Sequence, residues 1–190
     1  MSYPTTPKFN AINLQSESPT LFSETVSGRM QSRKIGGQKW TFTAVYPPMT
    51  RSEFNPVFAY VVALEGRHGV FTVTPTEIST SSGNPSGTVT CSAAALGAKS
   101  VTIAGLTGAL KAGDVVKFSG HNKVYMLTAD RSGNGAMAFT PALITAVTTS
   151  DTVNYSNVPF TVRLSNDIQG YKLGAGNFFK YEVDFVEALS

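Results

Sequence analysis

Two histidines, His68 and His121, and one cysteine, Cys91, are the side chains here best suited to acid–base or nucleophilic work at neutral pH. Their surroundings do not support that work. His121 sits in Ser119-Gly120-His121-Asn122 and His68 follows an apolar run ending at Gly66, so both read as surface or turn residues. Cys91 lies among Ser, Thr and Ala without a cation or histidine beside it, and no low thiol pKa is expected. A single cysteine also excludes an intramolecular disulfide and an all-cysteine metal site. Asp130-Arg131-Ser132-Gly133-Asn134-Gly135 starts like a calcium loop, but its twelfth position is Pro141 where a bidentate Glu is needed, and a hairpin turn is the better reading. Gly174-Ala175-Gly176 lacks the third glycine and the helix of a dinucleotide loop. No nucleophile elbow, zinc-protease helix or phosphate loop is present. The expectation is a non-enzyme with no catalytic residue, cofactor or metal.

The best-organised stretch is Lys39–Gly66. Trp40, Phe42, Ala44 and Tyr46 alternate with Lys39, Thr41, Thr43 and Val45, the period of a strand with one buried face. Pro47-Pro48 ends it, since neither residue can donate a ladder hydrogen bond. Thr50 and Glu53 have capping-box spacing. Behind them Phe54, Val57, Phe58, Val61, Val62 and Leu64 cover one helical face, with Gly66 as the expected C′ residue.

Around this unit the first eight residues read as a Pro/Thr-rich arm that orders only against a neighbour, followed by strands at Phe9–Gln15 and Leu21–Ser27. Gly28 to Lys39 carries Arg29, Arg33, Lys34 and Lys39 and no acid. Such a loop could face a polyanion, but it lacks aromatic residues for base stacking. The favoured reading is a solvated hairpin whose cations pair with a neighbour's carboxylates. After a strand at Val70–Thr74, the segment Ser79–Gly87 has the composition of a linker. Short strands follow at Thr88–Cys91, Ser100–Ile103, Val115–Phe118, Lys123–Thr128, Ala136–Phe139 and Thr152–Tyr155, with one helical turn expected at Leu143–Val147. Strands at this spacing indicate a small barrel or sandwich. Phe160–Leu164 and the alternating Phe179, Tyr181, Val183 and Phe185 return to the earlier style, and this last strand should join the sheet containing Trp40. The fold class expected is mainly β with one principal α-helix: a sheet-and-helix domain of about 1–75 plus 159–190, interrupted by a smaller β-domain near 84–157.

Composition narrows the function further. Charged residues are 14% of the chain and apolar ones 42%, so much of the surface is neutral Ser, Thr, Gly and Asn or is covered by other copies. A net charge of +3 is too small to argue for nucleic-acid binding. The N-terminus has no apolar signal-peptide core, and no run is long enough to span a membrane, so synthesis and assembly in a cytoplasm are expected.

Ser16–Leu21, Ser27–Tyr46, Pro48–Val62, Leu110–Asp130 and Pro159–Val162 together resemble virion structural proteins of tailed bacteriophages, with distal tail or baseplate-hub proteins the nearest type. The resemblance covers most of the chain. It implies a tail-tube-like β-sandwich plus flanking helix, residues 1–83 and 158–190, interrupted by an inserted β-barrel-like domain, residues 84–157. It further implies a homo-oligomeric ring, a hexamer, around the tail channel. The partners expected are other tail or baseplate proteins; DNA passes through without being specifically bound, and no membrane is involved. In that setting Arg29, Arg33, Lys34 and Lys39, with Arg51, Asn55 and Glu65 on or near the helix, are the candidate inter-subunit contacts. The alternative is a virion binding module whose inserted domain contacts a host glycan or another virion protein. Tyr125, Phe139 and Tyr155 are its aromatic candidates, although a core role fits them better.

Overall fold

The computed structural model describes residues 3–189 and is mainly β. The chain opens with β1 (Ala11–Glu17), β2 (Thr20–Glu24), β3 (Met30–Lys34), β4 (Lys39–Val45) and the helix α1 (Arg51–Val62), then β5 (Phe71–Val73) and the one-turn helix α2 (Thr76–Ser79). A run of short strands follows: β6 (Val89–Cys91), β7 (Ser100–Ala104), β8 (Ala109–Leu110), β9 (Val115–Phe118), β10 (Val124–Leu127), β11 (Arg131–Ser132), β12 (Gly135–Thr140) and β13 (Thr152–Asn154). The chain closes with β14 (Phe160–Leu164), β15 (Lys172–Leu173), β16 (Phe179–Lys180) and β17 (Glu182–Glu187). Two compact units result, one holding residues 71–161 and the other residues 3–70 with 162–187.

In the second unit an antiparallel sheet runs in the order β1-β4-β17-β14. The alternation of β4 is realised: Trp40, Phe42, Ala44 and Tyr46 are buried, and Phe42 pairs with Leu14 on one side and Phe185 on the other. Pro47-Pro48 stops the strand, and α1 starts behind a capping box in which the Glu53 carboxylate accepts from the Thr50 amide at 2.9 Å. Phe54, Val57 and Val61 form the buried side of α1, while Val62, one position round the helix, is 57% exposed. The helix ends earlier than expected. Ala63 is its C-cap, so Gly66 is not C′; it lies in a 3₁₀ turn, Gly66–His68, where its φ of 67° favours glycine.

Other expectations also need correcting. Tyr3 is no free arm: it is buried against Phe9, Tyr60 and Phe185, and its hydroxyl accepts from that of Tyr46 at 3.1 Å. The first two residues of that arm lie outside the described part. The expected strand at Leu21–Ser27 and the basic loop after it are one hairpin, with β2 and β3 paired from Thr20↔Lys34 to Glu24↔Met30. The last strand is interrupted at Tyr181. Phe179 bonds instead to Met49, exchanging both backbone hydrogen bonds at 2.8 and 2.9 Å, and β17 takes up the pairing with β4 from Glu182.

The first unit is a closed barrel in the order β10-β12-β7-β6-β13-β9, with β10 returning to β9. Val89, Ile103, Val116, Phe118, Leu127, Met137 and Phe139 fill it. No helical turn forms at Leu143–Val147, because its backbone bonds outward: Val147 exchanges hydrogen bonds with Ala94 at 2.9 Å, and the Leu143 amide reaches the Ala98 carbonyl at 2.8 Å. Ser79–Gly87 is no loose linker either. The Ser82 amide and hydroxyl each donate to Asp114 at 2.8 Å, the Ser81 hydroxyl donates to the same carboxylate, and Ser86 bridges Thr107. Such pairing satisfies backbone groups that a free linker would leave to water.

Candidate assembly surface

Two of the three residues with intrinsic reactivity, His121 and Cys91, are occupied by packing. His121 is 6% exposed, between the rings of Phe118 and Tyr125, and is therefore buried, not a surface residue. Its Nε2 donates to the Ala146 carbonyl at 3.4 Å, which leaves Nδ1 to accept from the Tyr125 hydroxyl at 3.2 Å. His68 is exposed in its 3₁₀ turn. The Cys91 thiol is buried and donates to the Asp151 carbonyl at 3.1 Å; burial, then the nearby Asp151 carboxylate, push its pKa up. The Asp130 carboxylate accepts from Lys111 at 2.8 Å and from the Ala112 amide at 2.9 Å, and Gly133-Asn134 is a bend, not the expected hairpin turn, because β11 pairs with β8 whereas β12 pairs with β7 and β10. Among the described residues no group of three or more His, Cys, Asp or Glu could hold a metal ion. No helix of the described chain is long and apolar enough to cross a membrane.

Tyr125 and Phe139 are core residues of the barrel, with ring centroids 5.2 Å apart. Tyr155 packs partly against the same core and donates its hydroxyl to the Gly87 carbonyl at 2.7 Å. These three aromatic side chains do not form an open platform for a sugar.

The open surface is elsewhere. β1 and β4 pair within the sheet, but their continuations β2 and β3 leave it, every residue of both being exposed. The pairing register changes at the junction. Glu17 faces Lys39 at the end of the first ladder and Thr20 faces Lys34 at the start of the second, with two residues between on one strand and four on the other. The longer side contains Gly36 and Gly37 at φ of 91° and 73°, values that a side chain would strain. The turn is closed by the Thr25 amide donating to the Arg29 carbonyl at 3.0 Å and the Gly28 amide to the Thr25 carbonyl at 2.8 Å. Leu21, Phe22, Met30 and Ile35 project from this arm, Phe22 at 61% and Met30 at 69% exposure.

All seven candidate inter-subunit residues are exposed. Arg29, Arg33 and Lys34 share the arm, and Lys39 stands at its base. Arg51 and Asn55, one helical turn apart on α1, edge a groove of about 720 Å³ whose other walls include Phe54, Phe58, Tyr171 and Phe178. Glu65 is separate, beyond the helix end with φ of 54°. The residues missed from the sequence are the aromatic ones of this groove: Phe54 stacks on Phe179 at 4.6 Å and meets Tyr171 at 4.8 Å. Only the contact of α1 with a hairpin more than a hundred residues later brings them together.

A sheet-and-helix unit and a closed barrel with a filled interior define a mainly β protein. The comparisons say which kind: residues 78–158, which hold the barrel, match the family model described as distal tail protein pb9, B domain. The barrel is thus similar to a domain of a phage distal tail protein, and that likeness supports a structural role in a phage tail. No curated protein matches the chain.

Proposed function

We propose that this protein is a ring-forming subunit at the distal end of a phage tail, in the tail tip or baseplate hub, assembled as a homo-hexamer around the tail channel. In this reading residues 1–83 and 158–190 are the tail-tube-like, ring-forming domain, and residues 84–157 are the domain inserted into it. Arg29, Arg33, Lys34, Lys39, Arg51, Asn55 and Glu65 contact neighbouring subunits. DNA traverses the ring without specific binding, since strong phosphate contacts would hold it back.

The observation that carries the reading is the β2–β3 arm. An isolated two-stranded hairpin is at best marginally stable in water, and this one is exposed on both faces with large apolar side chains uncovered. A subunit that packs its arms against other copies removes both costs. Native mass spectrometry and sedimentation over a wide concentration range test it: a discrete closed oligomer is expected, and a monomer throughout, in purified and in virion-derived material alike, overturns it.

A further inference from the structure

We infer that the arm recognises a second copy of this chain by edge-to-edge strand pairing, the β2 edge of one subunit against the β3 edge of the next, with charge deciding which edges meet. The inference rests on the ring reading above and specifies its contact.

Charge along the arm is divided by strand. Residues 9–28, which include β1 and β2, contain Glu17 and Glu24 and no cation, whereas residues 29–39, which include β3, contain Arg29, Arg33, Lys34 and Lys39 and no acid. Among the described residues β2 and β3 pair only with each other, so each keeps one edge with no described strand beside it. Open edges of this kind are templates for another strand. Two β2 edges brought together would offer Glu24 no cation, and two β3 edges would offer Arg33 and Lys34 no acid. Only the unlike pairing sets acid against base, and opposite charges across strands stabilise where like charges destabilise.

Symmetry leads to the same pairing. A contact between two different edges is heterologous, and repeated by rotation it closes into a ring; a contact between like edges stops at a dimer. Rotation about an axis roughly along the strands places β3 of each copy antiparallel to β2 of the next, because the two strands are antiparallel within the arm. Every ladder is then antiparallel and no edge remains. In level register Glu24 meets the neighbour's Met30, and a stagger of about four residues, an even slip that keeps every side chain on its own face, brings it opposite Lys34 and next to Arg33. Glu17, at the base of the same edge, adds to its negative charge. The protruding Leu21, Phe22 and Met30 are covered in the same step.

The test is a charge swap in the full chain. Glu17→Lys with Glu24→Lys, and separately Arg33→Glu with Lys34→Glu, are expected to raise the concentration needed for ring formation at least tenfold. All four substitutions in one chain are expected to restore it. Circular dichroism and thermal midpoints should stay unchanged, since all four side chains are exposed. Amide hydrogen exchange within Thr20–Glu24 and Met30–Lys34 should slow on assembly. A ring that forms with no added protection there, or a fourfold variant no better than its parents, overturns the arm pairing and leaves the ring standing. Tighter association of the Arg33→Glu, Lys34→Glu variant as a dimer overturns it in favour of like-edge contact. A wild-type chain that stays monomeric overturns the ring and the arm pairing together.

Discussion

The backbone amide of Trp40 donates to the Glu187 carboxylate at 3.2 Å, a buried hydrogen bond between residues 147 positions apart. It ties β4, before the barrel, to β17, after it, next to the ladder that pairs Thr41 with Val186. The sheet-and-helix unit is therefore closed by the end of the chain, and its stability depends on both segments being present.

Trp40→Ala is expected to cost about 3–5 kcal/mol, because the ring is 4% exposed and its removal leaves a cavity beside Phe42. Urea unfolding followed by tryptophan-independent circular dichroism measures the loss. Near-wild-type stability combined with failed assembly would assign Trp40 to a subunit contact.

Thr50→Ala should destabilise α1 by about 1 kcal/mol, the usual cost of losing an N-cap. The capping box also carries a pH dependence. The Thr50 amide, then its hydroxyl, hold the Glu53 carboxyl below its ordinary value. A depressed folded pKa means stability that is complete above the unfolded value near 4.5 and declines as pH falls through the folded value. Glu53→Gln should flatten that acidic decline, as read from thermal midpoints between pH 6 and pH 3.

Asp114 holds the barrel's entry segment. Its carboxylate accepts from the Ser81 hydroxyl, from both the amide and hydroxyl of Ser82, and from the Lys111 amide at 2.8 Å. Burial opposes its ionisation, yet the hydrogen bonds from Ser81, Lys111 and Ser82 outweigh burial and keep the carboxyl below its ordinary value. This contribution too is present near neutrality and is lost in acid. Asp114→Ala should cost roughly 1–3 kcal/mol by leaving those donors unmet. Limited proteolysis should then cut first between Thr80 and Gly87.

Replacing residues 84–157 by a short linker separates assembly from recognition. Loss of tails is expected if the barrel serves assembly. Intact tails that fail to adsorb would favour the binding-module reading, with a surface other than Tyr125 and Phe139, which the barrel core uses.

Local pattern made part of this protein legible in its residues. The period-two run at Trp40–Tyr46, the Thr50–Glu53 box and the spacing of the barrel strands are written within a few positions, and β9 and β14 fall at the residues expected. Strand boundaries there depend on alternation and turn chemistry, which are properties of neighbours in sequence. What the tertiary structure decided was the destination of backbone groups whose partners lie far away. Ser79–Gly87 has linker composition but bonds to Asp114 and Thr107; Leu143–Val147 has helical composition but bonds to Ala94 and Ala98. The arm combines both kinds. Its charges were visible as a basic segment, whereas its shape, two exposed strands leaving the sheet at Gly36-Gly37, follows from a register shift between two ladders. Composition cannot encode that shift, because register is set by which pairs bury their side chains together.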